Sequence, residues 1–205
     1  MHIALVGLAM LACIIGGCAP SSAPSGGQPG EPTPSVSAQE ATSETADDFT
    51  IDVPSGWVRV GTPSGPFSLA LARDDHDTGA GYGLTVRRSS PEELRRTRWA
   101  PASGPVVIDV HEFRDAAARD ARETEGVSEV TVLTDREIGD AVASGMSVVG
   151  IDGDVLATWQ EWFVWRHDGL WEIVVSPGGQ AGEVPVELSD ALDSVRWTTP
   201  GGAQS

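Results

Sequence analysis

The chain contains no lysine and no asparagine, and it has only two cysteines and one tyrosine. Its 13 basic residues are therefore all arginines, and 30 acidic residues give a formal net charge of −17. Nucleic-acid phosphates are bound by basic side chains, so this balance argues against a nucleic-acid partner. It also disfavours adhesion of the folded part to an anionic membrane surface. Without asparagine, N-glycosylation is excluded.

Both cysteines lie close to the N-terminus, at Cys13 and Cys18. An apolar run from Ile3 to Ile15 precedes Cys18, and its length fits the roughly 7–15 residues of a signal-peptide core. The run is too short to cross about 30 Å of hydrocarbon as a helix. No arginine precedes it, only His2, which departs from the usual charged start of a signal. An ordinary secretory signal and a buried terminal strand remain alternatives.

The tetrapeptide Ile15-Gly16-Gly17-Cys18 resembles the lipobox of bacterial lipoproteins. The resemblance implies that residues 1–17 are removed as a signal peptide and that Cys18 is lipidated on its sulfur. It further implies that the mature protein is held by this lipid anchor at the extracytoplasmic face of the cell membrane. A protein processed in this way has no free thiol, disulfide or cysteine metal ligand, which excludes thiol nucleophiles.

Composition then divides the rest of the chain into three parts. Residues 18–48 are rich in Pro, Ser and Gly, and a segment so poor in large apolar residues is expected to be a disordered linker. Residues 49–198 are predicted to form one globular domain, and residues 199–205 a disordered tail.

Periodicity and turn residues predict an α+β domain with an antiparallel β-sheet and packed helices. Phe49–Val53 alternates as a strand, and Ser90 is a predicted N-cap, with Pro91 and Glu93 completing a helix start that continues to about Arg98. The other predicted elements are strands at 67–72, 82–87, 127–133, 143–151, 155–166 and 170–176, and helices at 113–124 and 185–194.

The opening segment, residues 49–57, resembles the first strand of the PsbP-like group, and residues 192–197 resemble its closing helix. A middle helix and a tryptophan-rich strand pair occur between them in the same order. The resemblance implies an α/β/α sandwich and a non-enzymatic binding or assembly role. Within the group, the chain looks most like actinobacterial surface lipoproteins of the LpqN/LpqT type, which implies an envelope protein partner or a lipid or glycolipid ligand.

Four of the seven tryptophans fall in the predicted hairpin at 155–176. A two-residue turn at Asp168-Gly169 would place Arg166 opposite Trp171, as a possible cation–π pair, and Trp165 opposite Glu172. One face of the hairpin is then apolar, whereas the other is mixed aromatic and acidic. The mixed face is either a platform on which sugars or acyl chains stack or a surface covered by a helix. Its residues are Trp159, Glu161, Phe163, Trp165 and Glu172.

Five of the 13 arginines fall within residues 87–98, where only Glu92 and Glu93 oppose them. This segment could face lipid headgroups or an acidic partner. The alternative is a solvated helix edge with pairs such as Glu92–Arg95. The candidate residues for ligand or partner binding are Trp159, Trp165, Trp171, Arg88, Arg95, Arg96 and Arg98.

Motifs for catalysis are incomplete. Asp74-Asp75-His76-Asp77 could meet a cation or be a solvated turn. His111-Glu112 opens like a zinc-protease motif, but Asp115 stands where the second histidine is needed. No G-x-S-x-G occurs, and the glycine-rich stretch 79–83 precedes a strand rather than a phosphate-binding helix. We therefore predict a non-enzymatic binding protein without cofactor or metal. The alternatives are a hydrolase using Asp and His, and a purely structural or sensory module.

Overall fold

The computed structural model describes residues 42–46, 48–61, 67–74, 81–101, 103–152 and 154–198, which belong to one compact unit. The fold is α+β, as predicted, because helices pack on antiparallel sheets. The strands are β1 (Thr42–Thr45), β2 (Phe49–Val53), β3 (Trp57–Arg59), β4 (Leu69–Arg73), β5 (Leu84–Ser89), β6 (Val127–Val132), β7 (Arg136–Ile138), β8 (Ala141–Asp152), β9 (Val155–Arg166), β10 (Gly169–Val175) and β11 (Arg196–Trp197). The helices are α1 (Pro91–Leu94), α2 (Val110–Arg122) and α3 (Val186–Ala191), the last followed by a 3₁₀ turn at Leu192–Ser194.

The main sheet has the strand order β3-β4-β5-β10-β9-β8-β6, with β7 also paired to β8. Its pairings are antiparallel. A smaller sheet has the order β1-β2-β11. Successive side chains of a strand point to opposite faces, so each strand of the main sheet contributes to two separate packing layers.

One layer, called here the core face, is closed by the small sheet and α3. Phe49 and Ile51 of β2 and Leu188 of α3 are at most 1% exposed, and they pack in one cluster with Trp171 and Ile173 of β10. Burying a side chain of this size contributes about 1.5–3 kcal/mol relative to leaving it in water. The core face therefore supplies most of the apolar stabilisation that holds the two sheets together.

The opposite layer, called here the second face, is partly covered by α2. Phe113 of the helix contacts Phe163 of β9 with ring centroids 5.1 Å apart, and Ala118 is 1% exposed. The helix begins at Val110, before the predicted Phe113, because the Asp109 carboxylate accepts hydrogen bonds from two backbone N–H groups of its first turn.

Helix α1 starts as predicted but stops early. Ser90 and Glu93 form the predicted capping box, with each side chain accepting from the other's backbone N–H. The helix nevertheless ends at Leu94 rather than near Arg98. The Thr97 hydroxyl donates to the Leu94 carbonyl at 2.7 Å, and such a local side-chain bond competes with continuation of the helix.

Residues before the predicted domain boundary at residue 49 also form regular structure. Strand β1 lies in the segment assigned to the linker and pairs along its whole length with β2. Its side chains are mostly exposed, so β1 is held by backbone pairing rather than by burial. The Arg59 guanidinium adds a hydrogen bond to the Thr45 carbonyl at 2.7 Å. Ala46, just after β1, is 4% exposed.

The β9–β10 hairpin is confirmed, but its register differs from the prediction by two residues. Gly169 pairs with Arg166, and Trp171 pairs with Val164, so the turn is His167-Asp168. Gly169 has a φ of +144°, and a Cβ there would lie 2.3 Å from the Ser89 carbonyl oxygen, which requires glycine at the start of β10. Because the shift is even, every side chain keeps its predicted face.

The predicted stacking of Arg166 on Trp171 is wrong for the same reason. Arg166 lies over Trp197 at 4.6 Å, and Arg88 lies over Trp171 at 5.5 Å.

Within the described residues, no helix is long and apolar enough to cross a membrane. Cys18, the signal segment, most of the linker and the tail at 199–205 lie outside the described residues.

Candidate functional site

A row of side chains crosses the second face from β8 to β4. Glu161 of β9 lies between Met146 of β8 and Val174 of β10, and Val174 pairs in turn with Thr85 of β5. Thr85 pairs with Ala70 of β4. Met146 and Ala70 are 2% and 0% exposed, whereas the three residues between them are half-buried. The row is therefore covered at both ends and reached by solvent in the middle, over three strands that span about 10 Å.

Glu161 carries the main polar group of this row. Its carboxyl accepts a hydrogen bond from the Trp159 indole N–H at 3.0 Å. Among the described residues it takes part in no ion pair within 4.0 Å. Burial raises the pKa of Glu161 to about 7; the Trp159 hydrogen bond and Arg87 oppose this shift, and the charge of Glu172 adds to it. A carboxyl with this pKa is partly protonated at neutral pH.

The neighbouring acid, Glu172, differs from Glu161 in having an ion-pair partner. Its carboxylate bonds the Arg87 guanidinium at 2.8 Å, and β5 and β10 place the two residues directly opposite each other. The side chains of Arg87 and Glu172 are 40% and 16% exposed. The pair is therefore neutral as a unit and still partly open to solvent. We call the following set the half-open strip: Thr85, Arg87, Trp159, Glu161, Glu172 and Val174.

The half-open strip combines an uncharged surface, an aromatic ring and a carboxyl, which are groups of the kinds that line small-molecule sites. Val174 and Thr85 give an uncharged floor, and Trp159 adds a large ring with a polar N–H. Glu161 supplies an acceptor or a donor according to its protonation state. Such a surface suits a ligand that has an apolar or ring-shaped body and one group able to bond a carboxyl.

The three predicted tryptophan contacts are not brought together. Trp159 belongs to the half-open strip and, like Trp165, packs against the buried cluster beneath α2. Trp165 lies outside the strip, because it pairs with Leu170 near the turn of the hairpin. Trp171 is 0% exposed and contacts Phe49 edge-to-face at 5.7 Å. Its assignment as a binding residue is corrected, because a core side chain does not reach the surface. Helix α2 thus covers one part of the mixed face, and for the part that it leaves open the ligand platform stays a prediction.

The arginine segment does not form one surface. Arg88 points to the core face, where it pairs with Asp48 at 3.0 Å. Arg98 pairs with Asp120 at 3.2 Å, and Arg95 bonds the Gly104 carbonyl. The predicted Glu92–Arg95 pair is replaced by Glu92–Arg96, whose side chains are 82% and 78% exposed. An ion pair so exposed contributes little to stability.

A second polar cluster lies where α2 begins and contains Ser, His and Asp. Its atoms are not arranged as a catalytic triad, because the His111 imidazole and the Ser144 hydroxyl both bond Asp135, at 2.7 and 2.9 Å. Ser144 is 0% exposed and also accepts from Arg114 at 2.7 Å. The cluster ties the start of α2 to β8 and to the segment before β7.

Electrostatics in this cluster follow from the shared carboxylate. The hydrogen bond to Asp135 raises the pKa of His111, and the same bond lowers the pKa of Asp135. A serine nucleophile needs direct contact with its base and access to substrate. Ser144 has neither contact with His111 nor exposure, so this cluster supports a structural role.

Of the predicted acidic cluster at residues 74–77, the structure describes only Asp74. Asp75, His76 and Asp77 lie outside the described residues. In the described part of the chain, no group of three or more His, Cys, Asp or Glu side chains could hold a metal ion. Sequence reasoning placed Glu161 and Glu172 on the mixed face but not among the candidate binding residues, and it did not single out Arg87 with them. The available signal was a glutamate between Trp159 and Phe163 on one strand face.

Comparison with known proteins gives little further information. No family model matches the chain, and no curated protein matches it. Among solved structures, a crystal structure of a protein from Bacteroides thetaiotaomicron is similar at 11% identity with a TM-score of 0.40. The match covers 75% of this chain and 46% of that protein, so the chain spans less than half of its length. This likeness identifies neither a family nor a function.

Proposed function

We propose that the protein is a lipid-anchored, non-catalytic binding module on the extracytoplasmic face of the cell membrane, and that the half-open strip contacts its ligand. The anchor rests on the sequence around Cys18 and on the Pro/Ser/Gly linker that follows it. The ligand is a lipid or glycolipid molecule of the envelope, or an envelope protein that presents a similar apolar and polar surface.

One observation carries the binding role. Glu161 is a half-buried carboxyl beside a half-buried indole, and in the described part of the chain it has no ion-pair partner. Burying a carboxyl in an apolar setting without a charge partner costs free energy, and groups held in such settings are concentrated at functional sites. The Arg114–Ser144–Asp135 group, by contrast, has its hydrogen-bond partners within the protein.

The anchor is tested by Cys18→Ser. The wild-type protein should incorporate labelled palmitate and sediment with membranes, whereas the variant should do neither, because the acyl chains are its proposed hold on the bilayer. Equal labelling and equal sedimentation of the two proteins would contradict the anchor.

The strip is tested with two matched tryptophan variants of the same strand face. Trp159→Leu removes the indole of the half-open strip, whereas Trp165→Leu removes a half-buried indole outside it. Each purified variant is immobilised, incubated with a lipid extract of the producing cells, and analysed by mass spectrometry of the retained lipids. Trp159→Leu should lower the retained amount by about tenfold, and Trp165→Leu should leave it unchanged. Equal retention by both folded variants would contradict the proposal.

A further inference from the structure

The chemistry of the half-open strip restricts what its ligand carries. We propose that Glu161 binds a cationic group of the ligand, a primary amine or a guanidinium, while the apolar body of the ligand lies on Val174 and Thr85. This inference rests on the proposed binding function of the strip and adds the chemical class of the ligand.

The first argument is the missing counter-charge. Among the described side chains, the arginine nearest in the strip is Arg87, and it is bonded to Glu172 at 2.8 Å. Glu161 therefore lies next to a pair that is already neutral. A cationic group on the ligand would balance the charge, because Glu161 and Glu172 would then face Arg87 and the ligand cation. An anionic group would instead add a third negative charge.

The second argument is the position of the indole. The Trp159 N–H donates to one carboxyl oxygen of Glu161, and the other oxygen accepts no hydrogen bond from a described residue. An ammonium group placed at that oxygen would give Glu161 the ion pair that it lacks among the described residues. The net charge of −17 on the chain attracts a cationic ligand from a distance as well.

The surroundings of Glu161 make its charge depend on the ligand. Glu172 faces it from β10 and Arg87 acts on it from β5, while β8 contributes the apolar Met146. Helix α2 faces this layer with Phe113, Ala117 and Ala121. Near neutral pH the empty site therefore holds a proton part of the time. A bound cation favours the carboxylate, so binding releases this proton, and affinity falls as the pH is lowered.

The test uses three probes that share one tail: octylammonium, octyl sulfate and octyl glucoside, each below its micelle concentration. Binding to the folded protein is measured by isothermal titration calorimetry at about pH 5.5 and about pH 8.5, on either side of the carboxyl transition. Octylammonium should bind at least about tenfold more tightly than the other two at the higher pH, and this preference should shrink at the lower pH.

Two variants locate the effect. Glu161→Gln keeps the shape and removes the charge, so it should weaken octylammonium binding about tenfold and abolish the pH dependence. Glu129→Gln removes an exposed carboxylate on β6 and should change neither. Circular dichroism confirms that both remain folded.

Equal affinity for the three probes, or octylammonium binding that is the same in Glu161→Gln, would overturn the inference. These results would leave the proposed function intact as long as Trp159→Leu still loses its envelope lipid. The reverse result, a Glu161-dependent preference for octylammonium with lipid retention unaffected by Trp159→Leu, would support the cation site and contradict the proposed lipid-binding role.

Discussion

Gly145 of β8 pairs directly with Trp162 of β9 on the core face, and the ring occupies the space that a larger residue would need. An added Cβ at Gly145 would lie 2.4, 2.6 and 2.7 Å from three ring atoms of Trp162. The ring has little room to move, since its N–H donates to Gln160 at 3.2 Å and Arg136 lies over it at 5.5 Å. Gly145→Ala should therefore destabilise the protein by about 1–3 kcal/mol, the usual cost of overpacking.

Gly145→Ala should stabilise the protein, rather than destabilise it, when the Trp162 ring is absent. In a Trp162→Leu background there is no clash, and replacing glycine by alanine in a strand then stabilises by about 0.5–1 kcal/mol. The two changes should thus be coupled by about 1.5–4 kcal/mol in a double-mutant cycle, the difference between these two effects. Urea unfolding of the four proteins, followed by circular dichroism, measures this coupling. If Gly145→Ala has the same effect in both backgrounds, the packing described for this strand pair is wrong.

Three further outcomes are expected. Trp57 is 4% exposed and lies beneath the Arg73 guanidinium, so Trp57→Ala should cost about 3–5 kcal/mol in urea unfolding; an unchanged midpoint would show that the ring is not structural. Ser90→Ala removes the cap of α1 and should cost about 1 kcal/mol by the same assay, whereas no loss would indicate that the capping box contributes nothing. The folded state raises the pKa of Glu161 from 4.5 to about 7, so it holds this proton more tightly than the unfolded chain. Stability should consequently fall as the pH rises through this window, and Glu161→Gln should reduce the slope. His111, whose pKa is also raised, contributes in the same direction, so an unaltered slope in Glu161→Gln would assign the effect to His111 instead.

Local pattern was sufficient to predict the strands of the hairpin and their two faces. Alternation along β9 and β10 puts Trp162 and Trp171 on the core face and Glu161 on the second face, and an even register shift leaves those faces unchanged. The exact pairing was not predictable from the Asp-Gly signal. It depends on the close approach of Gly169 to Ser89, a contact between residues distant in the sequence.

Strand β1 and the end of helix α1 were not predicted, because neither depends on a periodic pattern of apolar residues. Strand β1 exposes most of its side chains and is held by backbone bonds to β2. Helix α1 ends where Thr97 bonds the Leu94 carbonyl, a competition that helix propensity does not reveal.

The half-open strip could be predicted only in part for a similar reason. Trp159 and Glu161 are near neighbours in sequence, but Arg87 and Glu172 are 85 residues apart and meet only through the β5–β10 pairing. The extent of α2 then decides which part of the second face is covered. Neither a non-local strand order nor the placement of a helix over a sheet follows from one sequence alone.

The most direct test of the strip is photo-crosslinking in living cells. A photoreactive phenylalanine analogue is placed either at Thr85, in the middle of the half-open strip, or at Thr131, an exposed residue of the edge strand β6. If the strip is the ligand-binding surface of a membrane-anchored protein, irradiation should give a discrete envelope adduct at Thr85 and none at Thr131. Adducts of equal yield at both positions, or an adduct at Thr131 alone, would contradict the account.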